Sequence, residues 1–458
     1  MALLPVDLGL AVLAGCALFL LTLIRPEYGL YALVFAIPFG SLRQIQVAGM
    51  NLDVTEVCVG LVGVSWLAGM VARRRVIVPR VPLVLPLLIF SSVLVLSWLS
   101  ALSLAASLKE TLKWMQFALI YVFVASTLSE RSVHRTINLI LVAGLAEALL
   151  GIYQFFGRIG PDGFLWPTPI GLFMRAYGTF DQPNPFGGYL GLVAPLAYAL
   201  WLTSFEVPDS ARRAWRFVTR STVYAALTVV MVVAILMTWS RGALLGFVAA
   251  FVVINVRHSR RAAAVFLAIA FLVTVLGAVQ MLPSAVIQRF EDFLPFLSIP
   301  DVRVVEVNPL NFAIVQRLAH WTAGWQMFLE HPWFGVGIGN YSVVYPSYAL
   351  PAWTDPLGHA HNYYLNIAAE AGLIGLAAYL LLWGSILSWV WRSVGRVSGY
   401  GVGVALGVLG VLVHLGVHNF VDNLFVHGMY LQIAILLGCV VALVSSESGT
   451  HGDDRRFR

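Results

Sequence analysis

Long apolar runs, broken at near-regular intervals by short polar stretches, fill this chain almost from end to end. A helix that crosses a bilayer needs roughly 20 mainly apolar residues. Runs at 6–24, 28–40, 54–71, 82–102, 112–128, 136–156, 184–204, 221–239, 242–256, 262–282, 362–390, 400–418 and 428–446 approach that length. They predict an all-α polytopic membrane protein. The run at 28–40 closes on Pro38 and Gly40 and reads either as a span or as a re-entrant piece, giving twelve or thirteen transmembrane helices. The first run, Val6 to Ile24, lacks a basic leader and a small-residue cleavage site, so it is read as a retained helix. The pattern divides the chain into an N-terminal bundle (1–282), a large extracytoplasmic loop (283–361), C-terminal helices (362–446) and a cytoplasmic tail (447–458).

Composition sharpens this picture. Of 458 residues, 60% are hydrophobic and 11% charged, whereas a soluble domain carries about 25% charged residues. The net charge of +6 would suit nucleic acid if it were gathered on one surface. It is spread instead over alternate connections: Arg73–Arg75 with Arg80, Arg131 with Arg135, Arg212 to Arg220, Arg257 to Arg261, Arg392 with Arg396, and the tail Arg455 to Arg458. Basic residues stay on the cytoplasmic side of a membrane protein, so threading explains them and nucleic acid is not an expected partner. The connections 103–111, 157–183, 240–241, 283–361 and 419–427 then face outward. Cys16, Cys58 and Cys439 fall in apolar runs without metal-ligand spacing.

The chemistry-bearing residues lie on that outward side. Arg175, in RAYGTFDQPNPFGGYL, reads equally as a solvated loop residue or as an anion ligand; Asp181 or Asn184 is available to cap the next helix. Arg241 is the single charge between Arg220 and Arg257. A guanidinium at membrane depth usually faces a polar cavity or an anion, and it matches phosphate oxygens with two donors. His359 and His361 open a helix in GHAHNYYLNIAAEAGLIG. An H-x-H pair can chelate zinc, but residues two apart on a helix do not face each other, so no metal is expected. A histidine there suits proton transfer, against the plainer alternative of a locally hydrogen-bonded interfacial ring. Glu370 is half a helical turn out of phase with His361, with Asn366 as its ready local partner. Glu147 sits mid-helix and needs pairing or protonation. Asp422 follows His418 and Asn419 in the last outward turn. A helix is expected near Ala313–Glu330, with Arg317 and Trp321 on one side, His320 adjacent, and its tryptophans reading as an interfacial anchor.

Four motifs in order resemble the O-antigen ligase and polymerase superfamily of membrane glycosyltransferases: R-x-x-GTF-x-x-PN at 175–184, SRGA at 240–243, R-x-x-x-W…HPxxGxGxxNY at 317–341, and H-x-HN-x-x-L…E-x-G-x-x-G at 359–375. The resemblance covers most of 153–444. It implies a GT-C-like bundle in the bacterial inner membrane, with its active face periplasmic, and metal-independent inverting transfer without a cofactor. The donor would be a glycan on undecaprenyl pyrophosphate. The acceptor would be a sugar hydroxyl of lipid A-core for a ligase, or of another glycan for a polymerase. In that reading His361 is catalytic, Arg175, Arg241 and Arg317 bind the pyrophosphate, and His359, Asn362, Asn184, Glu370 and Asp422 support them. The alternative from another class is a small-anion carrier of the bicarbonate type, for which Glu147 and the interrupted 28–40 run are the hints.

Overall fold

The computed structural model describes residues 6–40, 44–47, 50–72, 74, 81–168, 171–205, 211–279, 281, 301–308 and 311–453. Arg73, Arg75, Arg80, the loop segment 282–300 and Arg455 to Arg458 lie outside the described residues. The helices are α1 (Val6–Ile24), α2 (Pro26–Phe39), α3 (Val54–Ala72), α4 (Val84–Leu96), α5 (Leu104–Thr127), α6 (Glu130–Gly157), α7 (Pro183–Gly191), α8 (Ala194–Leu202), α9 (Ala211–Met237), α10 (Arg241–His258), α11 (Arg260–Ala278), α12 (Phe312–Glu330), α13 (Tyr363–Ser393), α14 (Tyr400–His418) and α15 (Met429–Asp453). Two small antiparallel hairpins interrupt them: β1 (Gln44–Val47) with β2 (Met50–Asp53), and β3 (Leu165–Thr168) with β4 (Gly171–Met174).

Among the described residues, nine helical stretches are long and apolar enough to cross a membrane. The chain is an all-α polytopic membrane protein. The 14 residues of α2 extend only about 21 Å, short of the ~30 Å hydrocarbon core, and its buried face packs on α3 and α6. Several boundaries differ from the hydropathy reading: α6 starts at Glu130, α9 starts at Ala211, and the run at 184–204 is two helices, α7 and α8. The connection expected at 103–111 is mostly the start of α5, which Ser103 caps by accepting from Ala106 N at 3.3 Å. Lys109, Glu110 and Lys113 interrupt the apolar pattern there without interrupting the helix. At the other end α15 continues through the expected start of the tail, and Glu447 accepts from Ser398 N at 3.1 Å.

α7–α8, α14 and α15 occupy the buried centre, whereas α11 keeps none of its span-length window buried. In lipid there is little hydrophobic drive between helices, so close backbone approach through small residues holds them. α14 shows this: a Cβ at Gly407 would stand 2.7 Å from Leu196 Cα of α8, and one at Gly410 2.5 Å from Ile254 Cδ1 of α10.

α13 is broken at Gly372, where φ is 68° and ψ is −167°. A loop of α12's C-terminal connection fits into the break: Leu373 N donates to Pro332 O at 2.7 Å and Val336 N to Ala369 O at 2.9 Å. A Cβ at Gly372 would lie 2.3 Å from the Trp333 carbonyl carbon. Backbone conformations of this kind are essentially confined to glycine. Gly372→Ala is therefore expected to cost at least ~2 kcal/mol and to lower the thermal midpoint of the detergent-solubilised protein. A midpoint equal to that of the unsubstituted protein would contradict this packing.

Candidate functional site

Four chain segments meet at one end of the bundle. α12 carries Arg317, His320 and Trp321. The turn before α13 carries His359 and His361, and Asn362 caps that helix by accepting from Leu365 N at 3.1 Å. The turn after α14 brings Asp422. The turn before α10 passes through Trp239 at φ 53°, and Ser240 caps α10, accepting from Ala243 N at 3.4 Å. Arg241 is thus the first residue of its helix.

Their centre is a carboxylate. Asp422 Oδ1 lies 3.4 Å from His361 Nδ1, and its Oδ2 lies 4.0 Å from Arg317 Nη2. Burial alone would raise the pKa of Asp422, but the His361 hydrogen bond and the Arg317 charge outweigh it and hold the carboxyl well below its ordinary range. With Nδ1 turned to an ionised carboxylate, the proton belongs on that nitrogen and the lone pair on Nε2. Nε2 of His361 is buried and has no hydrogen-bond partner among the described residues. It is the atom available to take a proton.

The histidine is held from both sides. His361 adopts φ 51°, its N–H donates to His359 Nδ1 at 3.0 Å, and its carbonyl accepts from Trp321 Nε1 at 3.3 Å. Two expectations change here. His359 and His361 precede the helix rather than lying on it, so they do face each other, with ring centroids 4.4 Å apart. Trp321 serves as a hydrogen-bond donor at the site, beyond any interfacial role. His320 presents its ring edge-on to His361 at 5.5 Å and stacks on Tyr345.

Arg175 comes from the loop between β4 and α7. Its Nε donates to Thr238 O at 2.9 Å and its Nη2 to Asn184 Oδ1 at 3.4 Å. Asn184 was an expected helix cap, as was Asp181; instead Gln182 precedes α7 without a side-chain cap, and Asn184 turns to the arginine. Burial, and then the charges of Arg317 and Arg241, push Arg175 down to about 10. It remains charged at neutral pH, with the charges of Arg317 and Arg241 disfavouring its protonated form.

Two residues of α6 fix that loop. Thr179 N donates to Glu147 Oε2 at 3.2 Å, and the Thr179 hydroxyl is shared between Glu147 Oε1 at 2.7 Å and Pro38 O at 2.5 Å. Gln154 Oε1 accepts from Gly178 N at 2.7 Å and Tyr177 N at 3.2 Å, while its Nε2 donates to Gly178 O at 2.8 Å. Gln154 escaped the sequence reading. Its spacing of seven from Glu147, two turns along one face, was the available signal. Glu370 plays a similar part elsewhere: its Oε1 accepts from Tyr341 N at 2.9 Å, so it supports the 332–341 loop and not His361. Asn366, its expected partner, accepts instead from Ala360 N at 3.1 Å.

Among the described residues, His359, His361 and Asp422 are the group that could hold a metal ion, their ligand atoms lying within 4.8 Å of one another. Ligands about 2.1 Å from one zinc stand roughly 3.4 Å apart in a tetrahedron, so the set would have to contract. The adjoining arginines give the site a field that favours an anion.

Residues 226–380 match the sequence model of the family described as O-antigen ligase. That segment makes up about a third of the chain. It holds Arg241, Arg317, His359, His361, Asn362 and Glu370, while Arg175, Asn184 and Asp422 lie on either side of it. The match supports a membrane enzyme of the O-antigen ligase and polymerase type. Three chains of solved structures also match. One belongs to a structure titled "Structural coordination of polymerization and crosslinking by a peptidoglycan synthase complex". It is 17% identical, with a TM-score of 0.44, over 79% of this chain and 97% of that one. The comparison with curated proteins gives no match.

Two expectations follow. Replacing Gln154 with Leu removes three hydrogen bonds from the Arg175 loop and should lower stability by ~1–3 kcal/mol, read as a lower thermal midpoint. An unshifted midpoint would count against the clamp. Burial also lowers His320 to about 4 and His359 to about 3. As pH falls below about 6.5 the unfolded chain takes up protons that the folded one refuses, so stability drops between roughly pH 6.5 and 4. Asp422, whose folded pKa is also depressed, acts in the same direction at lower pH: its contribution is complete above ~3.9 and is lost only below that. His320→Gln should flatten the loss by up to ~3 kcal/mol, and equal slopes in both proteins would refute the assignment.

Proposed function

We propose that the protein transfers a glycan from undecaprenyl pyrophosphate to a sugar hydroxyl, as an O-antigen ligase with lipid A-core as acceptor. The observation that carries this reading is the His361–Asp422 pair, with Nε2 of the histidine unpartnered, standing beside Arg175, Arg241 and Arg317. The acceptor O–H gives its proton to His361 Nε2 as the oxygen attacks the anomeric carbon. The bond from that carbon to the phosphate oxygen breaks, and its electron pair stays on the departing diphosphate. Attack opposite the leaving group inverts the anomeric centre. The three arginines stabilise charge that grows on the diphosphate during the step, and Asp422 stabilises the imidazolium. Those arginines supply the countercharge a metal would otherwise bring, so transfer should persist in a chelator.

Basic residues at alternate helix ends and connections support a periplasmic site in the inner membrane. A polymerase using another glycan as acceptor is the second reading, since it draws on the same charges and the same base. Anion carriage has less support: Glu147, its main hint, is committed to Thr179.

The test is surface glycan in a strain lacking the gene, complemented with variants at equal protein level. His361→Ala should reduce transfer by ~10²–10⁴-fold and leave binding of a polyprenyl diphosphate intact. Arg241→Ala should reduce transfer ~10²–10³-fold and weaken that binding. Normal glycan from both variants would end the transferase reading.

A further inference from the structure

α14 ends in His414 and His418, one turn apart. Across from them on α10 stand Gly242 and Gly246, with the same spacing. A Cβ at Gly242 would lie 2.5 Å from His418 Cδ2, and one at Gly246 2.7 Å from His414 Nδ1. Gly191, closing α7, shuts the far side of His414: its Cβ would lie 2.0 Å from Cε1. The two rings are 5.5 Å apart, and the histidines are 0% and 1% exposed. Nδ1 of His418 and Nε2 of His414 have no hydrogen-bond partner among the described residues.

Burying an unpaired polar nitrogen at membrane depth is costly, and an apolar side chain could fill such slots without that cost. What distinguishes His418 is its position. Its ring presses on the backbone one residue from Arg241, and it lies within electrostatic range of Asp422 and Arg317. One side chain therefore touches the first turn of the helix that presents the diphosphate-binding arginine and closes the helix four residues before the carboxylate that orients the base. A proton relay from His361 through Asp422 to His418 is disfavoured, since it would require protonating a carboxylate that His361 and Arg317 keep ionised.

We propose that His418 is a positioning residue shared by both halves of the site: wedged against Gly242, it sets the distance between the Arg241 turn and the His361–Asp422 pair. His414, one turn deeper, locks the same two helices. The proposal rests on the transferase reading and adds to it a residue outside the matched family segment.

The test uses the full chain in detergent, reading binding of a short-chain polyprenyl diphosphate, transfer at saturating donor, and the pH–rate profile. His418→Ala should weaken diphosphate binding, cut transfer about 100-fold and move the acidic limb of the profile. Gly242→Ala should act in the same direction by pushing on the ring. The double variant should regain about tenfold over either single one, because the methyl takes space the ring has left. A His418→Ala protein with unchanged binding, transfer and pH profile would overturn the proposal, as would a double variant no better than the singles. Should His418→Ala not accumulate, full transfer and an unchanged profile in Gly242→Ala would overturn it equally. Arg241→Ala, run beside them, separates the two readings: intact diphosphate binding there condemns the transferase reading, while its loss with unaffected His418 variants condemns only the wedge.

Discussion

Everything at the site depends on how one carboxylate is held ionised. Asp422 lies under protein where an isolated charge would be expelled, and it stays charged because His361 and Arg317 approach it from two sides. That single charge assigns the proton on His361 to Nδ1 and leaves Nε2 open. It also partly offsets the mutual repulsion of Arg317, Arg175 and Arg241. An anionic group entering the site would gain attraction from these guanidiniums. In the proposed transfer that anion is a diphosphate whose charge increases as the glycan departs.

Much of this was legible in the order of residues, for identifiable reasons. Hydropathy located the helices because a spanning segment must be apolar along its whole length. It misplaced the start of α5 because Lys109, Glu110 and Lys113 are good helix residues in a poor membrane sequence. Arg241 stood out as a lone charge in an apolar stretch. Arg175 did not, since a loop arginine has no periodicity to violate. His359 and His361 were seen, but placed on a helix; their contact comes from a left-handed residue at position 361, which no spacing rule could supply.

The partners of these residues were harder to read than the residues themselves. Asp422 reaches His361 across 61 positions of sequence, and Glu147 reaches Thr179 across 32. Local reasoning offered Asn366 to Glu370 and a cap role to Asn184, and both side chains went elsewhere. In each case a contact beyond helical i, i+4 spacing satisfied a backbone, ring or guanidinium donor, and that need outweighed the convenience of a near neighbour.

The anchors on the two loops share one property. Glu147, Gln154 and Glu370 grip mainly main-chain amides: of residues 177 to 179 in one loop, and of residue 341 in the other. Main-chain atoms are the same whatever amino acid carries them. Loop positions between these grips are therefore freer to vary than the grips themselves, and Gly178 is the exception among the gripped residues: at φ 57° a Cβ there would lie 2.3 Å from Glu147 Oε2.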